Sequence, residues 1–250
     1  LDALKLALNG TVASLILQSP NYYGVIEDVP AIAELVHTAG AKLVVSMNPT
    51  AMALLASPGE LGADVAIGDG QPLGIPLSFG GPYLGFMACK KDMVRKLPGR
   101  IVGQTTDAQG RRCFVLTLQA REQHIRREKA SSNICSNQAL CALTAAAYCS
   151  AMGPEGLSEV ARACYDNAHD LANELGKIKG FAPVNPDAPF FHEFLTTAPT
   201  NTEKALIALE DEGILGGLPV EGGILWCATE RNTKAQIDQL VAILKKAVAE

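Results

Sequence analysis

The densest group of charged side chains in this sequence lies between residues 121 and 129. Four cations and one histidine stand within these nine residues: Arg121, His124, Arg126, Arg127 and Lys129. Arginine presents a planar fork of donors that can bind a carboxylate or a phosphate through two hydrogen bonds at once. Residues 121–129, called the basic segment below, are therefore a candidate site for an anion or an acidic partner.

A solvated, internally paired helix end is the competing interpretation of the basic segment. Glu122 and Glu128 can pair with the neighbouring arginines, and composition alone favours this structural role. Asn133 follows in the polar run that continues the basic segment, and we include it among the candidate interface or site-lining residues.

A second unusual segment, Gly68–Gly85, follows an apolar strand directly and is dense in glycine and proline. These residues fix uncommon backbone angles and allow another surface to approach closely. The segment matches neither the dinucleotide-binding fingerprint nor the phosphate-binding P-loop, so no nucleotide site is expected. A sharp connection between two strands is the structural alternative.

The third candidate is the turn Ser19–Gly24, which contains Asn21. It comes directly after a predicted parallel strand, and open α/β sheets bind their ligands at the carboxyl ends of such strands. An ordinary connection between a strand and a helix is the alternative interpretation.

Several classes of protein are excluded by composition. The net charge of −5 leaves no broad basic surface for nucleic acid, and no apolar run reaches the length of a membrane span. The seven cysteines are scattered without a C-x-x-C pair, and the four histidines lack ligand spacing, so no metal site is predicted. We predict a soluble, cytoplasmic protein with reduced thiols.

The elements that would position these candidates follow an α/β pattern up to residue 90. After a helical stretch, Leu1–Asn9, the predicted strands are Val12–Leu17, Lys42–Met47, Asp64–Ile67 and Gly85–Cys89, with helices Asp28–Thr38 and Pro49–Ala56 between them. We expect a doubly wound, largely parallel sheet.

The remainder of the chain is predicted to begin with a hairpin and end in a smaller domain. The hairpin pairs Ile101–Thr105 with Cys113–Leu118, and two helices follow: the apolar Ser136–Met152, which is expected to be buried, and the amphipathic Leu157–Ile178. Strands Phe190–Leu195 and Gly223–Ala228 and helices Thr202–Asp211 and Thr233–Ala249 come last. The stretch Gly180–Pro189 separates a large α/β domain, 1–180, from a small α+β domain, 181–250.

Together, the segments Ser19–Gly24, Gly68–Gly85 and Arg121–Cys135 resemble the P-protein of the glycine cleavage system, specifically its amino-terminal half or separate first subunit. The string from Arg121 to Cys135 is the most specific part of this resemblance, which covers essentially all 250 residues. The family's subunit is considerably longer, and this chain opens with Leu1, so we expect a carboxy-terminal fragment.

The resemblance implies a type I pyridoxal-phosphate fold in which two homologous halves pair and only one holds the cofactor. That half has a Schiff-base lysine before its glycine-rich run; superposing the two runs places Gln71 at the lysine position. It also has an aspartate near the position of Val45, whereas the run from Val44 to Asn48 contains no acid. We therefore expect no cofactor and no catalytic residue in this chain, and pyridoxal phosphate in the partner subunit.

The implied function is that of a subunit of glycine dehydrogenase (decarboxylating). This enzyme removes carbon dioxide from glycine and passes the aminomethyl group to the lipoyl group of the H-protein. The implied partners are the pyridoxal-phosphate-bearing second subunit and the H-protein, and the isolated chain is predicted to be inactive. A free-standing type I lyase or aminotransferase, or a purely structural assembly subunit, are the alternatives.

Overall fold

The computed structural model describes residues 1–98, 101–117, 123–130, 138–200 and 202–249. The helices are α1 (Asp2–Ala7), α2 (Val29–Thr38), α3 (Gln123–Arg126), α4 (Ala139–Leu175), α5 (Thr202–Glu210) and α6 (Lys234–Ala249). The strands are β1 (Ser14–Gln18), β2 (Lys42–Met47), β3 (Val65–Asp69), β4 (Gly85–Cys89), β5 (Ile101–Thr106), β6 (Arg112–Thr117), β7 (Glu193–Thr196), β8 (Leu218–Val220) and β9 (Gly223–Cys227).

The first sheet has the strand order β1-β2-β3-β4. All four strands were predicted: β2 and β4 match at both ends, and β1 and β3 are shifted by one or two residues. Strands β1, β2 and β3 are parallel, whereas β4 is antiparallel to β3. The predicted doubly wound arrangement is wrong for the described strands, because their order follows the chain without reversal. Strand β4 runs antiparallel to β3 because the Gly- and Pro-rich loop between them contains no helix. A parallel strand would need a crossover connection, which is usually a helix.

Helix α2 covers one face of this sheet. The Asp28 carboxylate accepts a hydrogen bond from Ala31 N at 3.1 Å and caps the helix, and Pro30 occupies its first turn. The apolar side of the helix packs on the inward-facing residues of β1 and β2; the buried members of this core are Val29, Ile32, Ala33, Val36, Ala41, Leu43, Val45 and Ala63. Between β2 and β3, the predicted helix Pro49–Ala56 is only a short 3-10 helix, Ala51–Ala53.

A buried carboxylate, Asp64, ties the start of β3 to its neighbours. It accepts hydrogen bonds from Leu43 N at 2.9 Å, Lys42 Nζ at 3.2 Å and Lys90 Nζ at 3.4 Å, and it contacts His37 Nε2 at 2.9 Å. Burial alone would raise the pKa of Asp64, but these hydrogen bonds and the charge of Lys90 outweigh it and hold that pKa far below its ordinary value. The cluster lies at the amino end of β2, away from the strand ends that could bind a ligand.

Strands β5 and β6 form the predicted hairpin, with Ile101 opposite Thr117 and Thr106 opposite Arg112. Its turn is closed by Asp107, whose carboxylate accepts a hydrogen bond from Arg111 N at 2.9 Å. Leu118, the predicted end of the second strand, lies outside the described residues.

Helix α4 joins the two helices predicted at Ser136–Met152 and Leu157–Ile178 into one element with an internal break. Gly153 has φ +64° and ψ 179°, and Pro154 restarts the helix beyond it. The first part was expected to be buried, and this is wrong on one side: Leu140 is 76% exposed and Leu143 is 65% exposed. The apolar composition of this part of the helix predicts that it packs against other residues. Among the described residues, only its opposite side, with Cys141 and Ala145, is buried.

The second sheet is antiparallel with the order β7-β9-β8, and α5, α6 and the end of α4 pack against it. The predicted strands and helices of this region are confirmed, and β8 is an additional short strand. At its centre, Trp226 Nε1 donates a hydrogen bond to Thr196 Oγ1 at 2.9 Å, and both residues are buried. Leu171 and Leu175 of α4 belong to this core, and the division of the chain at residue 180 stays a prediction.

Candidate functional site

A cavity with polar and apolar lining residues opens where β1, β2 and β3 reach their carboxyl ends, which is where sheets of this kind bind ligands. Its volume is about 380 Å³. The polar side chains that line it include Ser46, Asn48, Asp69, Gln71, His192 and Glu193. The first four come from the ends of β2 and β3, and the last two from the start of β7.

The two walls of this cavity are joined through the backbone. Val25, in the turn after β1, forms an antiparallel bridge with Phe190, and Ile26 N donates to Pro189 O at 2.8 Å. Gly24 has φ +83°, and a Cβ atom there would lie 1.8 Å from Glu193 O. Only glycine permits this close approach, so the turn predicted as a candidate site holds β7 beside the first sheet.

Gln71 is partly buried and its position is fixed by two hydrogen bonds. Its backbone N donates to Asp69 Oδ1 at 2.8 Å, and its side-chain Nε2 donates to Ile75 O at 2.7 Å. The carboxamide therefore stabilises the fold of the loop as well as lining the cavity.

Burial determines the protonation of His192 and Glu193, which form the wall of the cavity at the start of β7. It lowers the pKa of His192 to about 4, against the opposing charge of Glu230, so the imidazole is neutral at physiological pH. His192 Nδ1 is buried and has no hydrogen-bond partner within the described part of the chain. Burial also raises the pKa of Glu193. Since no lysine or arginine is found among the described lining residues, the cavity offers carboxylates and neutral donors, which suit a phosphate group poorly.

The lysines of the first sheet are held away from this cavity. Lys42 and Lys90 both bind Asp64, at the opposite end of β2, and six strand residues span roughly 17 Å. Lys91, at the start of a 3-10 helix, does not line the cavity either. An imine to pyridoxal phosphate needs a lysine amine, so the residues described around this cavity do not fit the covalently bound cofactor.

The other predicted site residues lie outside the cavity. The Asn21 side chain accepts hydrogen bonds from Tyr23 N at 2.9 Å and Val25 N at 3.1 Å and donates to Glu27 at 2.7 Å, so it shapes the turn.

The described cations and the histidine of the basic segment lie on α3 and on the 3-10 turn after it. All of them are exposed, and none lines the cavity: His124, Arg126, Arg127 and Lys129. Arg121 and Asn133 lie outside the described residues. Of the predicted site residues that the structure describes, only Gln71 lines the cavity.

Sequence reasoning missed the acids of the cavity. Val45, near which the resemblance would place an aspartate, packs into the core under α2. The acids come instead from Asp69, at the end of β3, and from Glu193, in the second sheet. Asp69 could have been found, because it stands two residues before Gln71 in the Gly-rich run. His192 and Glu193 are distant in sequence, and no local pattern links them to this loop.

No metal-binding group of three or more histidine, cysteine or acidic side chains occurs in the parts of the chain that the structure describes. Among those same residues, no helix is both long and apolar enough to cross a membrane.

Comparison with known proteins identifies the family. The model of the glycine cleavage system P-protein matches residues 2–244. The chain belongs to this family. Two relatives, each described as probable glycine dehydrogenase (decarboxylating) subunit 1, come from Desulfitobacterium hafniense, at 50% identity over 96% of this chain, and Thermomicrobium roseum, at 49% over 97%. The chain spans about 55% of the length of each of these two relatives.

Solved structures give the same assignment and confirm the predicted fold class. The crystal structure of a glycine decarboxylase (P-protein) in inhibitor-bound form matches 96% of this chain and 56% of that chain, at 45% identity and a TM-score of 0.89. A sphingosine-1-phosphate lyase of Burkholderia pseudomallei matches 99% of this chain and 54% of that chain, at 18% identity and a TM-score of 0.68, and shows the fold alone. This chain therefore has the fold of type I pyridoxal-phosphate enzymes.

Proposed function

We propose that this chain is part of the non-catalytic subunit of glycine dehydrogenase (decarboxylating). In this proposal it supports the decarboxylation of glycine and the transfer of the aminomethyl group to the lipoyl group of the H-protein. Pyridoxal phosphate is held by the second subunit, where it supplies an electron sink for the reaction. The isolated chain is inactive.

The observation that carries the proposal is the position of Gln71. It lines the cavity at the carboxyl ends of the strands, where the resemblance expects a lysine, and its Nε2 is committed to Ile75 O. A carboxamide forms no imine, and Lys42 and Lys90 are paired at the far end of the sheet.

A free-standing pyridoxal-phosphate lyase or aminotransferase is disfavoured by the same cavity. Such an enzyme needs an amine for the imine and donors for the phosphate, and the described lining residues include neither lysine nor arginine. An enzyme with a displaced lysine would bind the cofactor and absorb near the visible edge, whereas we expect this chain to be colourless.

The basic segment is proposed to lie near the entrance of the partner's active site. Exposed guanidinium groups at Arg126 and Arg127 could attract acidic residues of the partner or the H-protein and so steer their encounter. A purely structural assembly subunit remains the alternative, and it predicts that substitutions in this segment leave the rate of the assembled enzyme unchanged.

Two further proposals concern the organisation of the chain and its location. The first is a large α/β domain, 1–180, followed by a small α+β domain, 181–250. Limited proteolysis would be expected to cut first between Gly180 and Pro189. The second proposal is a cytoplasmic location, which cell fractionation would test.

The deciding experiment is reconstitution. The chain is co-purified with the lysine-bearing second subunit, and glycine–bicarbonate exchange is measured for each component alone and for the pair. We expect exchange only from the pair. Borohydride reduction followed by mass spectrometry should then place the reduced cofactor on the second subunit. A reduced adduct on any lysine of this chain would overturn the proposal.

A further inference from the structure

The cavity at the carboxyl ends of β1, β2 and β3 carries two acidic side chains and no balancing cation. Asp69, at the end of β3, and Glu193, at the start of β7, line it from its two walls. The described lining residues include neither lysine nor arginine, and His192 is neutral at physiological pH because burial lowers its pKa to about 4. The lining is therefore negatively charged overall.

The Glu193 carboxylate is partly buried and receives no hydrogen bond from the side chains and backbone groups that the structure describes. Burial raises its pKa, and neither a hydrogen bond nor a neighbouring positive charge acts in the opposite direction. Withdrawing a carboxylate from water costs free energy unless a cation or several donors compensate it. A bound cation would supply this compensation.

Hydrogen bonds within the Gly/Pro loop determine which atoms of Asp69 and Gln71 are left for a ligand. Asp69 Oδ1 accepts from Gln71 N at 2.8 Å, so the second carboxylate oxygen is available. Gln71 Nε2 donates to Ile75 O at 2.7 Å, which leaves the amide oxygen as an acceptor. Acceptors from Asp69, Gln71 and Glu193 thus line one cavity, and a primary ammonium group has three N–H donors and no acceptor.

The apolar part of the lining favours an organic cation over a metal ion. Met47, Leu77 and Tyr83 line the same cavity, together with three prolines. Aliphatic side chains pack against carbon atoms and an aromatic face attracts a cation, whereas Mg²⁺ and Ca²⁺ need about six or more oxygen ligands. The volume of about 380 Å³ is within the usual range of small-molecule sites.

We propose that this cavity binds a small primary amine in its ammonium form. The ammonium group donates to Asp69, Gln71 and Glu193, and a short apolar chain packs against Met47 and Leu77. A carboxylate on the same ligand would be repelled by the two acids, so the site selects amines over amino acids such as glycine. The inference goes beyond the proposed function, which assigns no ligand to this chain.

Calorimetric titration of the full chain with butylammonium at neutral pH tests the site. Butanol and butyrate are the matched ligands, because they have a similar size and carry no charge or the opposite charge. Glu193→Gln and Asp69→Asn each remove one negative charge and keep the shape of the side chain. Glu221→Gln is the control variant, because Glu221 is exposed between β8 and β9 and does not line the cavity. Thermal unfolding of each variant would test its folding.

We expect butylammonium to bind with a dissociation constant on the order of 1 mM, and butanol, butyrate and glycine to bind about 10-fold more weakly or worse. Glu193→Gln and Asp69→Asn should each weaken butylammonium binding about 10-fold, because a charge-assisted hydrogen bond is lost, with Glu221→Gln like the wild type. If Glu193→Gln impairs folding, Asp69→Asn decides the question, because Asp69 is exposed. No binding to the wild type, equal binding of butanol, or unchanged binding by the folded cavity variants would overturn the inference.

Discussion

Replacement of Asp64 tests the strongest electrostatic feature of the first sheet. The carboxylate is 3% exposed and accepts a buried backbone hydrogen bond from Leu43 N, which is worth about 1.5–3 kcal/mol because the acceptor is charged. Its three side-chain partners are 38–47% exposed, so each pair contributes no more than about 0.5–1 kcal/mol after solvent screening. We expect Asp64→Ala to lower the free energy of unfolding by about 3–4 kcal/mol.

Asp64→Asn should cost roughly half as much, because a carboxamide oxygen still accepts from Leu43 N but carries no charge. The effect also depends on pH in a defined direction. The pKa of Asp64 is lowered in the folded state, so its contribution is complete above the unfolded pKa of about 4 and is lost as the pH falls towards the folded pKa. The difference between wild type and Asp64→Asn should therefore be full at pH 7 and smaller at pH 3.

Urea unfolding followed by circular dichroism at these two pH values would measure both effects. Asp238→Asn is the control, because Asp238 is 57% exposed and its pair with Lys234 on α6 should contribute less than about 0.5 kcal/mol. A cost of less than about 1 kcal/mol for Asp64→Ala would show that this carboxylate is not a main source of stability in the first sheet. An Asp64→Asn difference that stayed the same at pH 3 would contradict the assigned ionisation.

Three other predictions address the site, the partner and the second core. Gln71→Lys should give no glycine decarboxylation by the unpaired chain, since no described cation of the cavity can bind the phosphate; activity of that variant without a partner would count against our reading. Replacing Arg126 and Arg127 by glutamine should slow the reaction with H-protein about 10-fold at low ionic strength, and stopped-flow measurements should show the deficit shrinking as salt is added. An unchanged rate would favour a structural segment. Thr196→Val should lower the free energy of unfolding by about 1–3 kcal/mol, because Trp226 Nε1 loses its buried acceptor, and Thr196→Ser should restore most of it in the same urea titration.

Local patterns predicted most elements of this fold. Apolar runs predicted β2 at Lys42–Met47 with both ends correct, and the predicted helix Asp28–Thr38 differs from α2 by one residue at its start. The direction of β4 was not predictable in this way. It depends on whether the 15 residues between Asp69 and Gly85 form a crossover helix, and their glycines and prolines indicate a loop without indicating its path.

The site was predictable only where it is local in sequence. Gln71 lies in a distinctive run and lines the cavity, and its correspondence to the Schiff-base lysine stays a prediction. His192 and Glu193 reach the same cavity through contacts between residues more than 100 positions apart, which no local pattern encodes. The exposed side of α4 was missed for a related reason. An apolar composition predicts that a helix packs against other residues, but it does not show whether those residues belong to the same chain.

The close approach of Gly24 to Glu193 has a consequence for how this subunit can diverge. Because the bridge between Val25 and Phe190 is made by backbone atoms, substitution of almost any side chain around the cavity leaves its two walls at the same separation. The lining can therefore change from one binding chemistry to another while the frame persists. A saturation library should accordingly tolerate more residues at Gln71, where substitution loses the side-chain hydrogen bond to Ile75 O, than at Gly24, where any Cβ atom would clash with Glu193 O.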